Sequence, residues 1–199
     1  MPKAHRPRPA TSARGTVKPA LRRDAQLHRE TLLRAAVDLF GREGFDVPLE
    51  NIADLAGVSR TTLFRNFPDR ESLAAVVLQV YLDELAAQVA QWRDRNDAFF
   101  LAVRALAAQT IARSGFQKIV PIHHHAPAFG AQARRGIEKI LAEPLARAKT
   151  AGLIRSDFGI GDVQLLTMMA AAGGLEDPNN DVQCGIEKAL QLLARGYTP

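Results

Sequence analysis

Helix stops and helix starts alternate so tightly between Gly44 and Asp69 that this stretch has room only for short helices joined by tight turns. Upstream, Leu33, Ala36, Val37 and Phe40 recur at spacings of three and four, the stripe of an amphipathic helix. Gly44 sits where a left-handed residue would close that helix, and Phe45 is expected to fold back onto Phe40. Pro48 suits the first turn of a second helix, where its missing N–H would be unpaired in any case. That helix carries Leu49, Ile52, Ala53 and Leu55 and stops at Gly57. Ser59 can cap a third by accepting a bond from a free N–H, with Leu63, Phe64 and Phe67 as its apolar contacts. Pro68 breaks the third helix, and Asp69 is placed to cap a fourth that runs to Trp92 or close to it. Turns this short force sharp crossings, so the sequence predicts a small three-helix head.

Beyond the head the chain stays helical. Segments 73–93, 97–113, 128–151, 160–173 and 181–195 have helix-forming composition and carry few strand signals. Gly115, Pro121, Pro127, Gly152 and Pro178 punctuate them, and Pro144 should kink the segment that contains it. The expected fold class is therefore all-α: an N-terminal helix-turn-helix head on a larger helical body, with the fourth helix shared between them. At 199 residues the chain is long enough to bury such a core. The expected division is an arm over 1–23, a head over 24–72 and a body over 73–199.

The net charge of +5 is unevenly placed. Lys3, Arg6, Arg8, Arg14, Lys18, Arg22 and Arg23 precede the first acid, in a tail rich in Pro, Ala, Ser and Thr that cannot build a core. Such an arm, expected to be disordered, can draw in nucleic acid by releasing counterions. The head holds more acids than arginines, so DNA affinity would have to come from where its arginines sit and from the arm. Cys184 is the single cysteine, which excludes an intrachain disulfide and fits a reducing compartment. The N-terminus has no apolar segment of a secretory signal. No apolar run approaches the roughly 20 residues of a bilayer span. The expected location is the cytoplasm, away from membranes.

A helix-turn-helix needs a small residue where the helices approach, a glycine in the turn and an apolar lock on the second helix. Ala53, Gly57 and Leu63 supply these, with Val58 in the corner. The second helix would then offer its first residues to a major groove. Arg60 could donate to a guanine, and Thr61 and Thr62 could bond a base edge or touch a thymine methyl. Arg65 and Asn66, one turn later, are better placed for phosphates.

These pieces carry a resemblance. "AAVDLFGREGF", "IADLAGVS", "TLFRNF" and "DRESL", within residues 31–73, resemble the DNA-binding head of TetR-type transcriptional regulators. A weaker likeness is "AGLIRSDF", residues 151–158, a turn that leads into the last two helices of many members. The resemblance implies a homodimer that binds operator DNA through the third helix of each head and holds a small-molecule inducer in its body. The DNA-facing set it implies is Ser59, Arg60, Thr61, Thr62, Phe64, Arg65, Asn66 and Arg70, with Arg70 on a phosphate. Three positions depart from the common pattern. Phe64 stands for a tyrosine, Asn66 for a histidine, and Val47–Pro48 for a threonine cap. The basic arm is expected to offset the lost phosphate contacts. The last two helices would pair across the dimer through Leu165, Leu166, Met169, Ile186, Ala189, Leu190 and Leu193, with Ala170 to Gly174 allowing close approach.

In the body, "PIHHHAP" at 121–127 is the most provocative stretch. Consecutive helical residues point about 100° apart, so His123, His124 and His125 would not all face one ion, and no metal or other cofactor is expected. The expected ligand-lining set is Val89, Trp92, Phe99, Val103, Phe116, His123, His124, Ile140 and Met168. Sparse charge in 97–112 and 163–175 favours a lipophilic or aromatic ligand. No Gly-rich phosphate loop, G-x-S-x-G elbow or H-E-x-x-H pair is present, so no enzyme is expected. Asp177 and Asp181 flank a Pro-Asn loop whose turn chemistry explains them, and Cys184 is expected in the core. A helical binding or adaptor protein with a DNA-inactive head, or a helical enzyme, are the alternatives.

Overall fold

The computed structural model describes residues 17–113, 127–177, 179 and 181–194, which form helices with no strand among them. In chain order these are α1 (Val17–Glu43), α2 (Leu49–Ala56), α3 (Arg60–Asn66), α4 (Arg70–Gln91), α5 (Ala98–Ala112), α6 (Pro127–Thr150), α7 (Ile160–Leu175) and α8 (Val182–Leu193). The fold is all-α, a helix-turn-helix head on a larger helical body.

The local chemistry of the head acts as its residue types require. Gly44 takes a φ of 100° and donates its N–H to the Phe40 carbonyl at 3.2 Å. Phe45 returns to Phe40, with ring centroids 5.9 Å apart. Pro48 stands just before α2, and Asp69 caps α4 in a capping box, accepting from the Ser72 N–H at 2.7 Å.

Several expectations need correction. α1 starts at Val17, inside the segment assigned to the arm. Pro19 falls in the first turn, where its missing N–H leaves no bond unmade, and no glycine or proline follows it until Gly41. The buried stripe of α1 is Leu32, Ala35, Ala36, Leu39 and Phe40. Leu33 and Val37 fit the same spacing but lie at its half-buried edge. Leu55 and Phe64 are exposed, as is Cys184. Cys184 sits in the first turn of α8, donating its N–H to the cap Asp181 at 3.0 Å. α6 runs through Pro144 as one helix.

α4 joins two cores. Its first half gives Leu73, Ala74, Val77 and Tyr81 to the head, beside Phe40, Ile52, Leu63 and Phe67. Its second half gives Leu85 and Val89 to the body, beside Phe99, Val103, Leu141, Ile154 and Ile186. Each fully buried Leu, Ile or Phe contributes about 1.5–3 kcal/mol by leaving water. By length and composition alone α4 could cross a membrane, but many of its apolar residues are taken up by these two cores. Tyr81 lies at the junction. Its hydroxyl donates to the Val37 carbonyl of α1 at 3.1 Å, and the Arg113 guanidinium stacks 3.7 Å from its ring centroid. Burial pushes the phenol up to about 12, against the lowering effect of Arg113.

α7 and α8 cross closely. A Cβ at Gly173 would lie 2.4 Å from the Ala189 Cβ, and one at Gly185 would lie 2.4 Å from the Gly173 carbonyl oxygen. The small residues at the end of α7 are thus required within one chain.

Candidate nucleic-acid interface

α2 ends because Gly57 adopts φ 66°, ψ 32°, a left-handed conformation that side chains other than glycine's resist. The N–H groups of Gly57 and Val58 close the turn on Asp54 and Ala53, at 3.1 and 3.0 Å. Ser59 then turns to extended backbone, and its Oγ accepts from the Thr62 N–H at 3.2 Å. Leu63 and Phe67 sink into the head core, 1% and 2% exposed, and fix which way α3 faces. The opposite side of α3 presents Arg60, Thr61, Phe64 and Arg65 to solvent as one row.

The side chains implied as DNA-facing do not behave alike. Thr61 and Arg65 are exposed, and Phe64 is 42% exposed. Arg60 is ion-paired with Glu50 of α2 yet remains 65% exposed. Ser59 is exposed, with its hydroxyl 3.0 Å from that of Thr62. Two residues turn inward. Asn66 donates through Nδ2 to the Thr62 carbonyl at 2.8 Å, closing the last turn of its own helix, and its own carbonyl accepts from Arg29 at 3.3 Å. Arg70, implied as a phosphate contact, donates through Nη1 to the Val47 carbonyl at 2.6 Å and to the Phe45 carbonyl, and lies 5.5 Å from the Phe45 ring centroid. Both ties serve the fold. Arg29 makes a third, lying 4.6 Å from the Phe67 ring centroid.

The ligand-lining set is scattered. Phe99 and Val103 are sealed in the body core, Trp92 packs against that core, and Met168 is on the outer surface. Phe116, His123 and His124 lie outside the described residues. Among the described members of the set, Val89 and Ile140 line a groove of about 560 Å³ between α4 and α6. Its other walls, Leu82, Ala86 and Ala90 with Gln79, Asp83, Gln132, Arg135 and Lys139, escaped the sequence reading. The two sets of walls stand more than forty residues apart in the chain, and nothing in either segment marks the face they share.

The dimer set divides in the same way. Leu166, Ile186 and Leu190 are buried in the body core, and Ala189 meets Gly173 within the chain. Leu165 and Met169 are 60% and 43% exposed. With Met168 and Leu175 they form an apolar stripe along α7, and Leu192 of α8 is also exposed. α7 is apolar on its buried face and on its open face alike.

An exposed reading row on the second helix of a tight helix-turn-helix, set on a separate helical body, defines a DNA-binding protein of the helix-turn-helix class. Residues 32–77 match the family model described as bacterial regulatory proteins, tetR family. The HTH-type transcriptional regulator RutR of Escherichia coli K12 is 42% identical over 67 residues, which are 33% of this chain and 32% of RutR. The match thus spans about a third of the curated relative's length. Similarity to solved structures runs through both parts of the molecule. The TetR transcriptional regulator SCO0520 of Streptomyces coelicolor is 28% identical, with a TM-score of 0.59 over 86% of this chain and 98% of that one. A TetR regulatory protein of Mycobacterium vanbaalenii shares the fold at 23% identity, with a TM-score of 0.56 over 90% and 99%. Residues 32–77 thus form a head of the tetR regulatory-protein type, and the described chain is similar throughout to TetR transcriptional regulators.

Proposed function

We propose that this chain works in the cytoplasm as a homodimeric repressor. The third helix of each head lies in the major groove of a near-palindromic operator, and a small lipophilic or aromatic ligand held by the body releases it. The observation that carries this reading is the exposed row on α3, held outward by Leu63 and Phe67 beneath it. In that row Arg60 and Thr61 face base edges, with Thr62 beside them, while Arg65 takes a phosphate. Residues 1–16, which lie outside the described part, supply further positive charge as a DNA-contacting arm.

Dimerisation is supported by the stripe Leu165, Met168, Met169 and Leu175, an open apolar face on a helix already buried along its other side. Ligand control is supported by the groove between α4 and α6, because α4 also carries part of the head core. A ligand that favours one setting of α4 would shift the spacing of the two heads. The chain acts by binding, with no cofactor and no catalysis.

Selection of the purified protein against randomised duplex DNA at moderate salt tests the reading. Enrichment of a near-palindrome is the expected result. Weak, sequence-independent, salt-sensitive binding would overturn it and leave the arm as the only source of affinity.

A further inference from the structure

We infer that Glu50 is a positioning residue for base recognition: from α2 it holds the Arg60 guanidinium in the orientation that reads the operator. The inference rests on the proposed reading of α3. Arg60 is the first residue of α3, and an arginine there has a long side chain with many rotamers and solvent around most of it. No acid stands in the first turn of its own helix. The carboxylate that meets it comes from the first turn of α2, the helix on the other side of the turn. Glu50 Oε1 pairs with Arg60 Nη2, and the two side chains are 41% and 65% exposed. The pair is therefore half open. Glu50 meets one guanidinium nitrogen, Nη2, and most of the Arg60 side chain faces the solvent that DNA would replace.

Arginine is suited to this double use because its five N–H donors lie in one rigid plane. An acid held against one of its nitrogens limits the positions that plane can take and leaves other donors for a guanine O6 and N7. The arrangement also accounts for an acid on a face proposed to meet a polyanion. Glu50 repels phosphates, so its presence lowers general affinity while sharpening discrimination by Arg60. Turn geometry supports the pairing. Gly57 and Ser59 shape the turn between α2 and α3, so the backbone positions from which Glu50 and Arg60 reach each other are set by that turn.

The test is Glu50→Gln, which keeps the shape and removes the charge. Parent, Glu50→Gln, Arg60→Ala and the double variant are each taken through the same selection from random duplex DNA. Affinities are then measured for the preferred site and for sites changed at one base pair. Glu50→Gln should keep the parent's melting temperature. It should reduce the preference at the base pair sensitive to Arg60→Ala by about tenfold. Its affinity for unrelated DNA should rise severalfold. In the Arg60→Ala background, Glu50→Gln should leave base preference unchanged, because Glu50 acts through Arg60.

An unchanged preference in Glu50→Gln, with affinity raised equally on every sequence, would overturn the inference and leave Glu50 as a repelling charge. A loss of preference spread over all positions, together with a lowered melting temperature, would also overturn it in favour of a structural role. A parent without any preferred sequence is a different outcome, since it removes the DNA-reading role of α3 and the Glu50 proposal with it.

Discussion

Arg70 and Arg60 lie on the same head and carry the same charge, yet their guanidinium groups are held in opposite ways. Arg70 is drawn into the loop between α1 and α2 by the carbonyls of Phe45 and Val47 and by the Phe45 ring. Arg60 is held by one exposed acid and stays outside. A planar fork can serve two carbonyls and a ring together, whereas lysine offers a single flexible ammonium. Arg70→Lys should therefore destabilise the protein by about 1–3 kcal/mol, as expected for losing hydrogen bonds to a charged group. The salt dependence of DNA binding should hardly change even in Arg70→Gln, which removes the charge. Urea unfolding of the first variant and a salt titration of the second check both. An unchanged midpoint in Arg70→Lys, with a salt slope reduced by about one in Arg70→Gln, would return Arg70 to the phosphates. Sequence could not reveal this, because the carbonyls that hold Arg70 stand more than twenty residues upstream and are backbone groups that every residue has. The Asn66 bond was hidden for a related reason, since an amide at the end of a short helix can close that helix as readily as it can meet a phosphate.

At the scale of whole elements, α7 and α8 show what small residues are for. Gly173, Gly174 and Gly185 let two backbones meet at a distance that excludes any side chain. A Cβ at Gly185 would meet backbone, the Gly173 oxygen at 2.4 Å and the Gly174 Cα at 2.8 Å, and backbone cannot swing aside. Gly161, near the start of α7, has nothing within 4 Å of the same added carbon. Gly185→Ala should cost about 1–3 kcal/mol by overpacking. Gly161→Ala should stabilise by up to about 1 kcal/mol through helix propensity. Urea unfolding of the two variants checks the contrast, and equal effects would mean that the crossing adapts. The helices themselves were legible because their ends are local chemistry. The Phe40–Phe45 return, the Ser59 cap and the Asp69 capping box each involve residues within five positions. What faces inward was less legible. Leu32 and Leu33, or Leu165 and Leu166, are equal in composition, and only packing against distant helices decides that one of each pair is buried.

For the molecule as a whole, the open stripe on α7 and the reading row on α3 make one combined demand. A single seven-residue helix reaches few base pairs, and a near-palindromic site needs two heads set one helical turn apart, about 34 Å. A two-fold contact along Leu165, Met168, Met169 and Leu175 would bury the stripe and set that spacing through α4 and the body. At a two-fold contact a residue near the axis meets its own copy, and one off the axis meets another residue of the same stripe. Acids at both Leu165 and Met169 therefore bring like charges into the seam. Leu165→Glu with Met169→Glu should then raise the dimer dissociation constant at least about a hundredfold, from like-charge contact and lost apolar burial. Both side chains are exposed in the single chain, so its unfolding midpoint should be nearly unchanged when measured where both proteins are monomeric. Sedimentation equilibrium checks the association. Binding to a palindrome and to its isolated half-site checks the consequence. Joining two heads makes the second contact intramolecular and strengthens binding by about 10²–10⁴. The variant should lose that advantage on the palindrome while binding the half-site as the parent head does. If the variant still sediments as a dimer, the stripe on α7 is not the contact, and the exposed face must be covered by something other than a second copy of this chain.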